Sequence, residues 1–375
     1  MGIHSKIGAS STKRWMTCPG SVRLVESVPK APSSSYADEG TAAHTLAEMC
    51  LKSPSNRDPK DFIGQAVGDK GIVVTEEMAE AVTVYTDYIR GLGLPVTIEC
   101  RFDLGEIYPG MFGTADAVAF DSETQTLHVV DYKHGAGVAV EVENNTQLLY
   151  YAVGSAHENT QHPFVSVRLT VVQPRCPHSD GPVRSWDVDG VDLLLWTADL
   201  VDAAKRSEDP DAPLISGEHC RWCPAAGVCP QLRADALAAA ETDFAGDVAY
   251  NPAELAEALD QLPRVEAWVK AVREFAYAEA ERGFCPPGYK LVLKRATRKW
   301  VDEQAAAKYL NTCGFPDDAI YSPPKLKSPA QLEKAVGKWE LETCGLVTAE
   351  SSGYTLVPNT DRRQEVSSGP MADFS

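Results

Sequence analysis

Gly113-Thr114-Ala115-Asp116, Val129-Val130-Asp131-Tyr132-Lys133 and Gln147-Leu148-Leu149-Tyr150-Tyr151 all lie within residues 113–151, and the reading of this stretch decides the fold. Residues 96–102, 111–120 and 126–132 are rich in β-branched and aromatic side chains. Turn residues at Pro109-Gly110 and Asp121-Ser122 separate them. That pattern predicts a β-meander. Strand side chains repeat every second residue, so Asp131 and Lys133 share a face while Tyr132 turns into a core. Antiparallel pairing can bring Asp116 to Asp131. A helix over 143–158 follows, and on it Gln147 and Tyr151, four apart, share one face.

Working outward, 8–30 reads as a short capped helix broken at Pro19-Gly20, and 33–52 as an Ala/Leu-rich helix carrying His44. A loop at 53–60 leads to a helix over 76–90 with apolar Met78, Val82, Tyr85 and Ile89. Residues 164–172 form a further strand and 190–206 a further helix. The order helix, three strands, helix, strand, helix predicts an α/β fold, a mixed central sheet flanked by helices. This core, with a cysteine cluster at 214–231, is expected over 1–235. Helices follow in 236–284. A small α+β segment over 285–375 is expected to contain a strand at 289–294, helices near 302–311 and 328–337, and a loose tail from about 360.

With 375 residues, 44% apolar and 23% charged, the chain has the composition of an ordinary globular protein. No apolar run of about 18 residues spans a membrane. The start, Met1 to Lys6, lacks the apolar stretch of a signal peptide, so a cytoplasmic location is expected. In a reducing compartment ten cysteines point to metal where clustered and to packing where scattered. The formal net charge of −18 counts against indiscriminate nucleic-acid binding. Charge is uneven, however: Lys290, Lys294, Arg295, Arg298 and Lys299 occur in one run without an acid.

Two acids and a lysine on neighbouring strands suit metal-assisted phosphodiester hydrolysis. That reaction needs an activated water, neutralised phosphate charge and a stabilised leaving oxygen, which one or two Mg²⁺ or Mn²⁺ ions held by carboxylates can provide. Lys133 could orient water or stabilise developing negative charge. Glu99, on the preceding strand, could be an accessory acid. Taken singly, an Asp-x-Lys triplet is more often a solvated strand end, and a histidine in an Ala-rich helix is more often packed than ligating.

Cys220, Cys223 and Cys229 form a C-x2-C-x5-C cluster. Three thiolates leave a fourth ligand to come from elsewhere. Cys18, in the Thr17-Cys18-Pro19-Gly20 loop, is the obvious donor; His219 and the absence of any fourth cysteine are competitors. Cys50, Cys100, Cys176, Cys285, Cys313 and Cys344 are dispersed and read mostly as small core residues.

His44, then Gly113-x-x-Asp116, then Asp131-x-Lys133, then Gln147-x-x-x-Tyr151 resemble, in order, the motifs of the RecB-like branch of the PD-(D/E)XK nucleases. The closest resemblance is to the iron–sulfur exonucleases of bacterial recombination and CRISPR adaptation. The resemblance implies a restriction-endonuclease-like core in which His44, Asp116 and Asp131 bind Mg²⁺ or Mn²⁺, helped by a backbone carbonyl after Asp131. Lys133 would be the catalytic lysine, and Gln147 and Tyr151, with Tyr150 as a possible stand-in, would lie near the DNA. It also implies Cys18, Cys220, Cys223 and Cys229 as ligands of a structural [4Fe–4S] cluster, with Zn²⁺ as the alternative. One departure is Ala115, where many members have proline. The implied activity is a DNA exonuclease resecting double-stranded ends or single strands, in a phage or its bacterial host, beside a single-strand annealing or binding protein. A structure-specific endonuclease or nickase, and a non-catalytic DNA-binding assembly module, are the competing readings.

Overall fold

In a computed structural model the chain divides into two units, 1–292 and 293–375. The residues described are 5–29, 33–52, 57–158, 163–244 and 252–292, with Lys308, Tyr309 and Thr312. The helices expected near 302–311 and 328–337, the tail, and the basic run beyond Val292 fall almost wholly outside them. Within the described part of the expected strand at 289–294, residues 289–292 carry no regular structure. Prolines at 286 and 287 remove two ladder donors just before this segment.

The first unit is a mixed α/β fold. Short helices α1 (Thr12–Thr17) and α2 (Ser21–Glu26) precede α3 (Ser35–Leu51), which starts where Ser34 Oγ accepts from the Ala37 amide. A two-stranded hairpin, β1 (Ala66–Val67) and β2 (Ile72–Val73), leads to α4 (Glu76–Gly91). Thr75 caps α4 by accepting from the Met78 amide, and Glu76 and Glu77 place negative charge at its N-terminus. The central sheet runs β3 (Val96–Asp103), β4 (Phe112–Asp121), β5 (Thr126–Tyr132), β6 (Ser166–Val172) and β7 (Val183–Asp189), in that spatial order. β3, β4 and β5 form the expected antiparallel meander. Helix α5 (Thr146–Glu158) then crosses over, and β6 pairs parallel with β5.

β7, antiparallel to β6, was not expected. Its sequence, Val183 to Asp189, mixes charges with single apolar residues because it is the sheet's edge. Arg168 and Asp187 pair across it at 2.7 Å. Helix α6 (Gly190–Glu208) follows, capped by Asp189.

Two cores sandwich the sheet. On one face α3 and α4 bury Leu46, Met78, Val82 and Tyr85 against Ala117, Val130 and Tyr132. On the other, α5 and α6 bury Leu148, Tyr151 and Leu200 against Leu127, Val129 and Leu169. β5 is therefore covered on both sides, which is why its sequence is almost continuously apolar up to Asp131. Beyond α6, 3-10 turns at Glu218–Trp222 and Ala226–Val228 carry the cysteines, and α7 (Pro230–Phe244) and α8 (Pro252–Glu281) pack there, with Trp268 and Ala271 against Cys220, Ala226 and Leu232. Among the described residues no helix is long and apolar enough to cross a membrane.

Candidate metal centre and cysteine corner

The ladder registers build the site. β3 and β4 pair Ile98 with Ala117 and Cys100 with Ala115, which brackets Glu99 opposite Asp116. β4 and β5 pair Ala117 with Val130, so the next position sets Asp116 opposite Asp131. Three acids, Glu99, Asp116 and Asp131, thus lie in one row across three strands. The β4–β5 ladder ends there because the Tyr132 amide donates to Asp116 Oδ2 at 2.7 Å instead of to a carbonyl.

His44 comes in from α3, with Nδ1 3.5 Å from Asp116 Oδ1. Behind it stands an aromatic stack. The Tyr132 ring lies 5.3 Å from the His44 ring and stacks on Tyr85 at 4.9 Å. Tyr132 points into the α3–α4 core, as the alternation requires. Lys133, on the opposite face, donates to Asp131 Oδ1 at 3.1 Å and to Gln147 Oε1 at 3.1 Å; Gln147 Nε2 in turn donates to the Tyr151 hydroxyl at 2.8 Å. The N-terminus of α5 is fixed for this purpose by Asn145, whose Oδ1 accepts from the Gln147 and Leu148 amides.

Charge and burial compete here. Burial pushes the Asp131 carboxyl up, Lys133 opposes the shift and Asp116 adds to it. Asp116 goes the other way: burial would raise it, but His44, Lys133 and the Tyr132 amide together lower it. Burial would lower Lys133, yet Asp131 and Asp116 hold it above its ordinary value, as an ammonium. His44 is likewise pulled down by burial and raised on balance by Asp116. Asp131 is only 2% exposed, and its Oδ2, although 2.9 Å from Lys133 Nζ, receives no well-aligned donor among the described residues. A buried carboxylate oxygen without a donor is costly unless a cation serves it. The donor set, one imidazole and carboxylates, fits a divalent ion of the Mg²⁺ or Mn²⁺ kind.

Around the centre, sequence reasoning missed a clamp on α3. His134, next to Lys133, meets Tyr132 OH through Nδ1 at 2.8 Å, and Arg175 donates to Glu39 on α3 at 2.8 Å and to Glu77 on α4 at 3.0 Å. Gln173 pins the 135–140 loop by donating to the Gly135 and Val138 carbonyls and accepting from the Val140 amide. None of these residues lies in a short motif, so only the fold assembles them.

The four cysteines also come together. The Cys18 sulfur accepts from the Ile215 amide at 3.2 Å, Cys220 from Gly217 at 3.4 Å and Cys229 from Leu232 at 3.5 Å. Cys223 is served by the Ala225 amide; Cys220 feels the other three thiols, and Cys223 feels Cys18 and Cys229. Burial pushes both of those thiols up. His219 Nε2 lies 2.9 Å from the Ile215 carbonyl. No three of these sulfurs lie within 4.8 Å of one another. Of the dispersed cysteines, Cys50 and Cys176 are buried, Cys100 is half-buried and Cys285 is exposed; Cys313 and Cys344 lie outside the described residues.

Fold and site together define an α/β protein with a histidine–carboxylate centre at the end of a mixed sheet and a four-cysteine corner. The chain belongs to the family described as "Protein of unknown function (DUF2800)", which matches residues 4–364. Among solved structures it is similar to the alkaline exonuclease LHK-Exo from Laribacter hongkongensis, at 14% identity and a TM-score of 0.24, over 45% of this chain and 89% of that one.

Proposed function

We propose that the protein is a Mg²⁺- or Mn²⁺-dependent deoxyribonuclease, acting as an exonuclease on double-stranded ends or single strands. The observation that carries this reading is the chain from Asp131 through Lys133 to Gln147, set beside Asp116. His44, Asp116 and Asp131 would hold the cation. Such a cation supplies Lewis acidity, neutralising phosphate charge and easing deprotonation of water. The Tyr132 amide fixes Asp116, and Gln147 fixes the Lys133 ammonium. Lys133, held charged, stabilises negative charge on the phosphoryl group in flight and can give a proton toward the leaving oxygen. Tyr151 orients Gln147 from one turn further along α5.

Cys18, Cys220, Cys223 and Cys229 are read as the ligands of a structural [4Fe–4S] cluster. Backbone amides aimed at the sulfurs support bound thiolates. Zn²⁺ at the same four thiolates is the alternative. A single-strand annealing or binding protein is the partner this reading suggests.

The test is digestion of end-labelled linear and covalently closed DNA, single- and double-stranded, with Mg²⁺ or Mn²⁺. Loss of mononucleotides or short products from linear DNA alone supports the reading. Cutting of closed circles would replace exonuclease by endonuclease, and no cation-dependent cleavage of any substrate would remove the assignment.

A further inference from the structure

Asp131 has Lys133 beside it and Asp116 has His44, but the third acid of the row has neither. Glu99 lies between Ile98 and Cys100, whose partners Ala117 and Ala115 flank Asp116, so two like charges come together across β3 and β4. Among the described residues its carboxylate has no hydrogen-bond donor and no ion pair. Glu99 also has φ of 52°, left-handed backbone in the middle of a strand. That conformation is strained for a residue with a Cβ. It turns the side chain to where one carboxylate oxygen, a His44 ring nitrogen and an Asp116 oxygen lie within 4.8 Å of one another.

Counting charge sharpens the point. Three carboxylates meet one ammonium and one imidazole, so the centre keeps a net negative charge in a largely buried place. Asp131 Oδ2, although 2.9 Å from Lys133 Nζ, lacks an aligned donor among the described residues. A divalent cation placed among the trio neutralises the excess and turns the repulsion into attraction.

We propose that Glu99 is a direct ligand of the divalent cation held by His44 and Asp116. The inference deepens the proposed function and rests on it, since it concerns the same centre. It makes the strained backbone of β3 a device for delivering a carboxylate to the cation, at a stability cost that the empty protein bears.

The experiment is Mn²⁺ titration of the full-length protein without DNA, followed by electron paramagnetic resonance of free Mn²⁺, with thermal melting in parallel. Wild type, Glu99→Gln, Glu99→Gly and Asp116→Asn are compared. Both Glu99 variants are expected to weaken Mn²⁺ binding by at least about tenfold. Glu99→Gly, which also relieves the left-handed backbone, is expected to melt higher than wild type without cation and to gain less on its addition. Isotherms of both Glu99 variants that superimpose on wild type, with Asp116→Asn impaired, would overturn the role of Glu99 and leave the nuclease reading standing. A wild-type protein that binds no Mn²⁺ would overturn both.

Discussion

The amide of Tyr132 donates to Asp116 Oδ2 at 2.7 Å, so the main chain of one strand holds the carboxylate of its neighbour at the point where their ladder ends. A carboxylate fixed by backbone cannot drift with side-chain rotamers. The other half of the centre is held differently, through the side-chain relay of Asp131, Lys133, Gln147 and Tyr151.

That difference predicts unequal effects of substitution. Lys133→Met should lower kcat for DNA cleavage by about 10²–10⁴-fold, the range for loss of a positioned acid or charge, while cation affinity rises or holds because Asp131 loses its competitor. Gln147→Leu should cost less, because Lys133 keeps its bond to Asp131. Steady-state kinetics beside Mn²⁺ titration checks both; equal losses in the two variants would contradict the relay.

The cysteine corner predicts a coupled loss of metal and fold. Under the proposed cluster, Cys18→Ala should lower iron content and leave the protein labile near α1, because the Cys18 sulfur ties residues 197 apart in sequence. Iron content, absorption near 400 nm and hydrogen exchange of residues 12–26 report it. Gly20→Ala should act similarly without touching a ligand. A Cβ there would sit 2.5 Å from the Ala212 carbonyl oxygen, where Gly20 itself donates to Pro213.

Gly154→Ala tests the packing under the site. Alanine is the better helix former by about 1 kcal/mol, but its Cβ would fall 2.2 Å from the Phe102 ring. Overpacking costs about 1–3 kcal/mol, so a net loss is expected in urea denaturation. Phe102→Leu should relieve it in the double variant.

Three depressed histidines should each cost stability on acidification. Burial lowers His128, with Arg168 adding to the effect; burial also lowers His134, again with Arg175, and His219. A histidine depressed in the folded state is neutral in both states above about pH 6.5. Below that value the unfolded chain takes up protons that the folded one refuses, so the stabilisation is lost as pH falls. His44, raised on balance, works in the opposite sense, contributing below its unfolded value and losing that contribution as pH rises through its folded one. The raised carboxyls of Asp131 and Glu99 act in the same sense as His44, so the histidine contribution is isolated by His128→Asn, whose urea midpoint should hold up better than that of wild type between pH 7 and 5.5.

Much of this architecture was legible from period and spacing. The three meander strands, the shared face of Asp131 and Lys133, and the inward turn of Tyr132 follow from alternation alone. His44 was legible only through the ordered motifs, because nothing in an Ala-rich helix marks one histidine. β7 escaped because an edge strand wets one face, so Arg184, Trp186 and Asp187 do not read as a core strand. The posture of Glu99 escaped for a different reason. Left-handed backbone at a non-glycine residue is imposed by the surrounding fold and leaves no trace in local composition. The clamp of Glu39, His134 and Arg175 joins residues more than 130 apart in sequence, a distance at which pattern carries no information.

The docking of Cys18 onto Ile215 also sets a timetable. Ribosomes add about 5–20 residues per second, so this thiol emerges roughly 10–40 s before its dock is made. The sheet can form in that interval, since β3 to β7 are complete by Asp189. The corner cannot, and closing it becomes one of the last acts of biogenesis. A nascent chain halted before residue 215 would hold a finished sheet and an unguarded cysteine.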